Sequence, residues 1–326
     1  MYDKDTRSTK NVNGVDIKVN NFGQTDTLEY LDSSHIYGTS YFAYMVSALV
    51  TKLNYVKGKE IRGAPYDWRK SPNELDEFFK NLTDLLIETY MTNNNTKVIL
   101  IAHSMGNPII LYWLNNYLSK QQKDTYIRSF VSLSAPWGGA SKPLRLMASG
   151  DNIDVIVVKP LTVRPYQRSA SSTAWLMPSE SFWSADEILV YQPKQNYTVK
   201  DFKKFFQDLN YTDGYEMRLD VEKLTYDLVA PQVEVHALYG IGVKTPESFI
   251  YTGTQWPDSQ PSVVFGDGDG TVNLRSLYGY KRWLNKQNEK IYFKELKGID
   301  HLAILKNQDA IDYIINLITN PPDSFN

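Results

Sequence analysis

The chain has 326 residues, 42% of them hydrophobic and 22% charged, with a formal net charge of −2. This composition excludes a disordered or fibrous protein, and the near-neutral charge argues against a nucleic-acid binder that works by neutralising phosphates. The sequence has no cysteine, which excludes thiol catalysis and zinc–thiolate sites, and no apolar run that approaches the roughly 18 residues of a transmembrane helix.

Helical and extended patterns alternate along the chain after a mostly polar stretch at 1–35. The run KVILIAH at 97–103 is continuously apolar, as expected of a parallel strand that is buried on both faces. Strands that alternate with helices predict a mostly parallel α/β sheet. We predict helices at 41–53, 73–90, 108–118 and 307–317, and strands at 59–62, 97–103, 127–134, 233–239 and 290–296.

The long segment at about 138–232 has weak periodicity and is too long for a simple loop. We therefore predict one domain, 1–326, with a core formed by 36–137 and 233–320 and a cap or lid inserted between them. Arg164 and Arg168 could anchor this cap, meet a phosphate or lie in solvent. Four aromatic residues could contact lipid or pack the interior of the cap: Trp137, Trp175, Phe182 and Trp183.

The strongest chemical signal is the run Ala102-His-Ser-Met-Gly106, which lies between a predicted strand and a predicted helix. This is the context of a nucleophile elbow, in which a strained turn raises a serine hydroxyl above the sheet. Small residues two positions before and after the serine allow the strand and the helix to approach; here Ala102 stands where glycine is commoner. We predict Ser104 as the nucleophile and the N–H of Met105 as one oxyanion donor.

A general base must follow the serine, because the order in this architecture is Ser, then Asp or Glu, then His. Of the four histidines, His236 alternates within an apolar strand and is predicted to be a core residue. His301 follows the last predicted strand, where a loop can deliver the base to Ser104. His103 adjoins the nucleophile on the strand, from which its side chain would point away, and is predicted to be structural.

The orienting acid is predicted in the run GDGDGTV at 266–272. A calcium loop of the EF-hand type would need further oxygen ligands and a closing glutamate, and the following residues TVNLR include no such glutamate. One of the two aspartates therefore serves better as the acid that orients the base. Spacing alone leaves Asp267 and Asp269 as equal candidates.

Five motifs occur in order along the chain: RGAPYDWR at 62–69, AHSMG at 102–106, SAPWGG at 134–139, ASGDN at 148–152 and GDGDGTV at 266–272. Together they resemble the lecithin:cholesterol acyltransferase family over essentially the whole chain, and within it the lysosomal (group XV) phospholipase A2 branch. In the family motif the second aspartate of the GDGDG run is the acid, which corresponds to Asp269. This assignment rests on the resemblance.

The resemblance implies an α/β-hydrolase fold and a defined chemistry. Such an enzyme cleaves a fatty acyl ester from glycerophospholipids without calcium and passes the acyl group to water or to a lipid alcohol such as ceramide. The resemblance implies no cofactor, no metal and no nucleic-acid partner, a phospholipid membrane surface as substrate, a monomer, and a lysosomal or extracellular location. The polar first residues carry no visible signal peptide, and sequons at Asn81, Asn94, Asn196 and Asn210 are about as frequent as chance predicts.

The region before the predicted nucleophile is expected to lack one strand of this fold. The loop after that strand would supply a second oxyanion donor. The nearest candidate, Val15–Val19, is short and alternating. Family members carry that strand, and a membrane-binding segment, in an N-terminal stretch that we expect to be absent from this sequence.

Three hypotheses follow. The first is a phospholipase A and acyltransferase whose activity is limited by the missing oxyanion loop, since one such donor contributes about 10²–10³ in turnover. The second is a catalytically impaired relative that binds lipid. The third is a soluble esterase that acts on small esters.

Overall fold

The computed structural model describes residues 1–32, 34–35, 38–153, 157–253 and 255–320. Its strands are β1 (Tyr2–Asp3), β2 (Ser8–Thr9), β3 (Val98–His103), β4 (Ile127–Leu133), β5 (Val190–Tyr191), β6 (Val235–Ile241), β7 (Thr245–Ile250), β8 (Ser262–Gly266) and β9 (Ile291–Lys297). Its α-helices are α1 (Asp26–Glu29), α2 (Ala43–Leu53), α3 (Asp76–Thr92), α4 (Gly106–Asn116), α5 (Lys120–Tyr126), α6 (Lys142–Ala148), α7 (Pro160–Ser169), α8 (Ser171–Trp175), α9 (Phe202–Asp208), α10 (Thr212–Val221), α11 (Leu274–Leu277) and α12 (Gln308–Thr319). Short 3₁₀ helices cover Pro72–Glu74, Val199–Asp201, Tyr278–Trp283 and Ala303–Lys306.

The central sheet has the order β3-β4-β6-β9, and every neighbouring pair in it is parallel. His103 of β3 pairs with Leu133 of β4, which pairs with Leu238 of β6. The carboxyl ends of these strands therefore meet at one edge of the sheet, where α/β proteins place their ligands. The mostly parallel α/β sheet that the sequence predicts is confirmed.

Both faces of this sheet are covered, because alternate side chains of a strand point to opposite faces. Val131 and Leu133 of β4 face a cluster that includes Met45 of α2 and Ile314 of α12. Phe130, which precedes Val131, joins the larger cluster on the other face, to which α3 and α4 contribute. Six of the seven residues of β4 are therefore buried, although Arg128, Ser129 and Ser132 interrupt its apolar sequence.

The predicted strand at 59–62 is wrong: the structure has only an isolated bridge between Lys57 and Ile61 there. The candidate strand Val15–Val19 is also not a strand. A helix that the analysis did not predict, α5, begins at a capping box in which Ser119 and Gln122 exchange hydrogen bonds. That signal is readable from the sequence, since Ser-x-x-Gln is a helix start.

The segment 138–232, which we call the cap segment, is mainly helical, with α6 to α10 and the short strand β5. β5 pairs with β7, which follows the central strand β6 directly, in a second sheet of order β5-β7-β8. Apolar side chains of the cap segment, among them Met147 and Phe205, belong to the same buried cluster as side chains of the central sheet. The cap segment is therefore packed on the core rather than separate from it.

Candidate active site

The turn between β3 and α4 holds Ser104 in a left-handed backbone conformation, with φ of 52°. A left-handed non-glycine residue is strained, and such strain is concentrated at functional sites. The Ser104 N–H donates to the carbonyl of Leu133 at 2.9 Å, which ties the turn to the neighbouring strand. The Ser104 side chain is half-buried at the carboxyl edge of the sheet.

His301 lies in the loop after β9, close to Ser104. The two atoms His301 Nε2 and Ser104 Oγ are 2.8 Å apart. His301 Nδ1 lies 2.7 Å from Asp269 Oδ2. An ionised carboxylate only accepts, so Nδ1–H donates to Asp269 and Nε2 accepts from the Ser104 hydroxyl. The structure thus brings Ser104, His301 and Asp269 into one hydrogen-bonded row, in the arrangement of a serine hydrolase triad.

The two candidate aspartates are separated by what they bind. Asp269 is fully buried, and its second oxygen accepts the N–H groups of Thr271 and Val272. Burial raises the pKa of Asp269, but His301 and these N–H groups lower it by more, so the pKa lies below its ordinary value. Asp267 instead accepts the N–H groups of Gly242 and Gly268, both at 2.7 Å. The structure therefore places Asp269, and not Asp267, against the histidine.

Met105 is buried and stands directly before α4. The first N–H groups of a helix have no intrahelical acceptor, so the N–H of Met105 is available beside Ser104. A Cβ added at Gly106 would lie 3.6 Å from the Cβ of Ala102, which is an ordinary contact. The strand and the helix approach here, and alanine, which is also a small residue, would fit at 106.

The two histidines that lie in strands are buried. His236 lies in β6, with Tyr313 and Glu234 as hydrogen-bond partners, as a core histidine should. His103 is 5% exposed, and its Nε2 lies 2.7 Å from the backbone carbonyl oxygen of His301. Burial, and to a smaller extent His301, lowers the pKa of His103 to about 3.

The sequence analysis missed Asn107, which supports the elbow. Its side chain is fully buried and donates from Nδ2 to the carbonyls of Ser104 and Leu133, at 2.9 Å each. Removing such a buried donor would leave both carbonyls without this partner. A polar residue in the first turn of an otherwise apolar helix was the available signal.

The aromatic residues proposed for the cap pack its interior rather than its surface. Trp137, Trp175 and Trp183 are each at most 6% exposed, and the ring of Trp137 meets that of Trp283 at 4.7 Å. Phe182 lies under the guanidinium of Arg282. The packing alternative is therefore the one that the structure favours.

The two cap arginines bind backbone oxygens at the end of α6. Arg164 donates to the carbonyl of Ala148 at 3.0 Å and to Asp258 at 2.6 Å. Arg168 donates to the carbonyls of Met147 and Ala148, at 2.6 and 3.0 Å. Arg168 thus ties α7 to α6 within the cap segment, and Arg164 also reaches Asp258 outside it, which favours the anchoring alternative among the three.

The described residues contain no group of three or more histidine, aspartate or glutamate side chains that could hold a metal ion. No helix in them is both long and apolar enough to cross a membrane.

Comparisons with known proteins agree with this geometry. A model of the lecithin:cholesterol acyltransferase family matches residues 1–308. The chain is 45% identical over 322 residues to the lysosomal phospholipase A and acyltransferase of Rattus norvegicus, a match that covers 99% of this chain and 77% of that protein. It is 42% identical over 308 residues to the phosphatidylcholine-sterol acyltransferase of Gallus gallus, covering 94% and 73%. Among solved structures, a chain of the Tle4–Tli4 complex is similar in fold, with a TM-score of 0.50 and 14% identity over 76% of this chain and 66% of that one.

Proposed function

Because the chain belongs to the lecithin:cholesterol acyltransferase family, we propose that it is a serine phospholipase A and lipid acyltransferase with an α/β-hydrolase fold. The observation that carries the proposal is the hydrogen-bonded row of Ser104, His301 and Asp269. Relatives at 45% and 44% identity are named as lysosomal phospholipase A and acyltransferase, which supports a phospholipid as the acyl donor.

The proposed reaction begins when Ser104 Oγ attacks the acyl carbonyl of a glycerophospholipid. His301 Nε2 takes the hydroxyl proton, and Asp269 stabilises the resulting imidazolium. The carbonyl oxygen becomes an oxyanion, and the N–H of Met105 donates to it. The C–O bond to the glycerol then breaks, His301 returns the proton to the leaving lysophospholipid, and the acyl group stays on Ser104.

The second half of the reaction depends on the acceptor. Water or a lipid alcohol such as ceramide gives its proton to His301 and attacks the acyl-enzyme, which releases a fatty acid or an acylated alcohol. Which acceptor reacts depends on how far water is excluded when the alcohol arrives. The cap segment, packed on the core beside this edge of the sheet, is the proposed cover, and no step of the reaction requires a metal or a cofactor.

The proposed cellular location is taken from the names of the relatives. Curated relatives named as lysosomal support action in the lysosome, with an extracellular location as the alternative. The asparagines of all four sequons are exposed, so each is accessible for glycosylation in that setting. We propose that the enzyme acts as a monomer on a phospholipid surface.

The proposal is tested with the purified chain on phosphatidylcholine liposomes that contain ceramide, in the presence of a chelator. We expect lysophospholipid to equal the sum of fatty acid and acylated ceramide, because every acyl group leaves through one intermediate. Ser104→Ala should abolish all three products and also labelling by a fluorophosphonate probe.

Two outcomes would contradict it. A folded protein whose Ser104 resists the fluorophosphonate would be a lipid binder and not an enzyme. Labelling and hydrolysis of a short soluble ester, with no release of lysophospholipid from liposomes, would instead identify a soluble esterase.

A further inference from the structure

The buried histidine directly before the nucleophile has no place in the reaction above. His103 Nε2 lies 2.7 Å from the carbonyl oxygen of His301, and its Nδ1 lies 2.5 Å from the hydroxyl of Tyr41. A carbonyl can only accept, so the proton of the neutral ring is on Nε2. Nδ1 then carries the lone pair, and the hydroxyl of Tyr41 donates to it. The carbonyl of His301 thus sets the tautomer of His103, and the hydroxyl of Tyr41 gives the lone pair of Nδ1 a partner.

The contact from His103 completes the support of His301. The backbone N–H of His301 donates to the carbonyl of Asp269 at 2.8 Å, and its ring nitrogens bind Asp269 and Ser104. Its carbonyl is bound by His103. Both the backbone and the ring of the proposed base are therefore fixed by hydrogen bonds.

The contact between His103 and His301 joins the end of β3 to the loop after β9, at opposite edges of the central sheet. Ser104 follows β3 at one edge of the central sheet, whereas His301 follows β9 at the other. The hydrogen bond from His103 to His301 joins the two ends directly, across 198 positions of sequence. The two rings also lie against each other, with centroids 4.7 Å apart. A small movement of the loop after β9 would otherwise change the distance from the base to the nucleophile.

We propose that His103 is a positioning residue for the acyl transfer: its neutral Nε2–H holds the backbone of His301 so that the base stays on Ser104, and the hydroxyl of Tyr41 holds the opposite side of the His103 ring. This inference rests on the proposed function, in which His301 is the base. Because the pKa of His103 is lowered by burial, the ring stays neutral over the acidic to neutral range and the contact persists there.

The test compares His103→Leu, which removes the donor, with His103→Gln, which keeps an N–H at a similar reach. On a short soluble ester we expect His103→Leu to lower kcat about 10- to 100-fold with KM within about twofold, since misplacement by about 1 Å costs up to about 10². The rate of fluorophosphonate labelling of Ser104 should fall in parallel. His103→Gln should recover most of the loss, and Tyr41→Phe should lower kcat by less than His103→Leu.

His236→Leu is the matched control, because His236 is also a buried strand histidine but binds Glu234 and Tyr313 instead of His301. It should lower Tm and leave kcat unchanged. If His103→Leu lowered Tm equally and kept the wild-type kcat, or if Gln and Leu at 103 gave the same kcat, His103 would be merely structural. Should His103→Leu fail to fold, Tyr41→Phe becomes the deciding variant: a lowered kcat with slower labelling of Ser104 would support the proposal, and wild-type kcat and labelling would overturn it. Failure of the wild-type protein to label would refute the proposed function itself.

Discussion

Two regions near the proposed site are both anchored by buried polar contacts, but they differ in what they expose. In the loops after β3, β8 and β9, which we call the fixed region, His301 binds both Ser104 and Asp269, and Asp269 is fully buried. In the cap segment, Asp151 and α7 are held by polar contacts, and described residues beside them expose apolar side chains, with Val157 at 90%. Reacting groups gain from a geometry fixed before the substrate arrives, whereas a surface that meets lipid gains from exposed apolar area.

A small group of polar contacts ties Asp151 to α7. The buried side chain of Gln167 accepts the N–H of Asp151 at 3.0 Å and donates to the carbonyl of the same residue at 2.5 Å. Asp151 also accepts the N–H of Ile153 at 2.7 Å. Arg164 and Arg168 add the bonds to the end of α6 described above. These contacts tie Asp151 to the end of α7, and α7 to the end of α6, within the cap segment.

The largest expected effect distinguishes the two aspartates of the GDGDG run. Asp269→Asn should lower kcat by about 10⁴-fold, because an amide in that place favours the wrong tautomer of the base. Asp267→Asn keeps an oxygen that can accept from Gly242 and Gly268, so it should lower kcat by less than about tenfold. Steady-state kinetics on a short ester measure both, and equal losses would mean that the fixed region is not centred on Asp269.

The next effect tests how closely the fixed region is packed. A Cβ at Gly240 of β6 would lie 1.8 Å from the carbonyl oxygen of Ile299 and 3.3 Å from the Cβ of Asp269. Gly240→Ala should therefore displace the loop that carries His301, lowering kcat about 10²-fold and the free energy of unfolding by about 1–3 kcal/mol. Gly106→Ala is the control, because its Cβ would meet only Ala102 at an ordinary distance.

Kinetics and urea denaturation of the two glycine variants test whether the added Cβ at 240 displaces the loop that carries His301. Gly106→Ala should stay close to wild type in both measurements. If Gly240→Ala kept the wild-type kcat, the loop after β9 would tolerate displacement, and the contrast between a fixed catalytic region and the cap would fail.

The parts that the sequence predicted are those that depend on local pattern. The apolar run of β3 marks a buried parallel strand, and the elbow around Ser104 is a local turn with its own signature. The predicted strand at 59–62 is wrong because an extended run becomes a strand only when it pairs with another strand, and pairing is not a local property. The structure has only the bridge between Lys57 and Ile61 there. Spacing could not separate Asp267 from Asp269, because which of them meets His301 depends on a contact with a distant part of the chain.

The role inferred for His103 shows the limit of reasoning from direction alone. A strand residue beside the nucleophile should point away from the hydroxyl, and on that ground it was predicted to be structural. The fold brings the backbone of His301 to the face on which His103 lies, which no pattern within either segment indicates. Contacts between side chains and distant backbone groups were the least predictable feature of the site.

Acid should weaken the fixed region in a way that depends on Asp269. Folding lowers the pKa of this carboxyl, so its contribution to stability is fully present above the unfolded-state pKa of about 3.9. That contribution is lost as the pH falls through the lower folded-state pKa. Asp269→Asn should therefore be less stable than wild type near neutral pH and lose less stability on acidification, as measured by urea denaturation between about pH 6 and 2.5.

Ser104→Ala keeps Asp269 and His301 and serves as the control for this acid dependence. It should follow the wild-type dependence of unfolding free energy on pH. A slope for Asp269→Asn equal to that of wild type would show that Asp269 does not contribute to acid lability, despite its buried contact with His301.

The smallest expected effect tests the exposed side of the comparison. Val157→Asp places a charge at a side chain that is 90% exposed, the most accessible apolar one among the described residues of the cap segment, and it should lower hydrolysis of liposomes about three- to tenfold. Hydrolysis of a short soluble ester should stay within about twofold, because Val157 belongs to no described contact of the triad. Val229→Asp is the matched control: Val229 is 58% exposed, and its carbonyl binds Asn115 at the far end of α4 from Ser104. If both substrates lost activity equally with Val157→Asp, the segment would act on the chemistry itself, and the division between a fixed catalytic region and a lipid-facing cap would not hold.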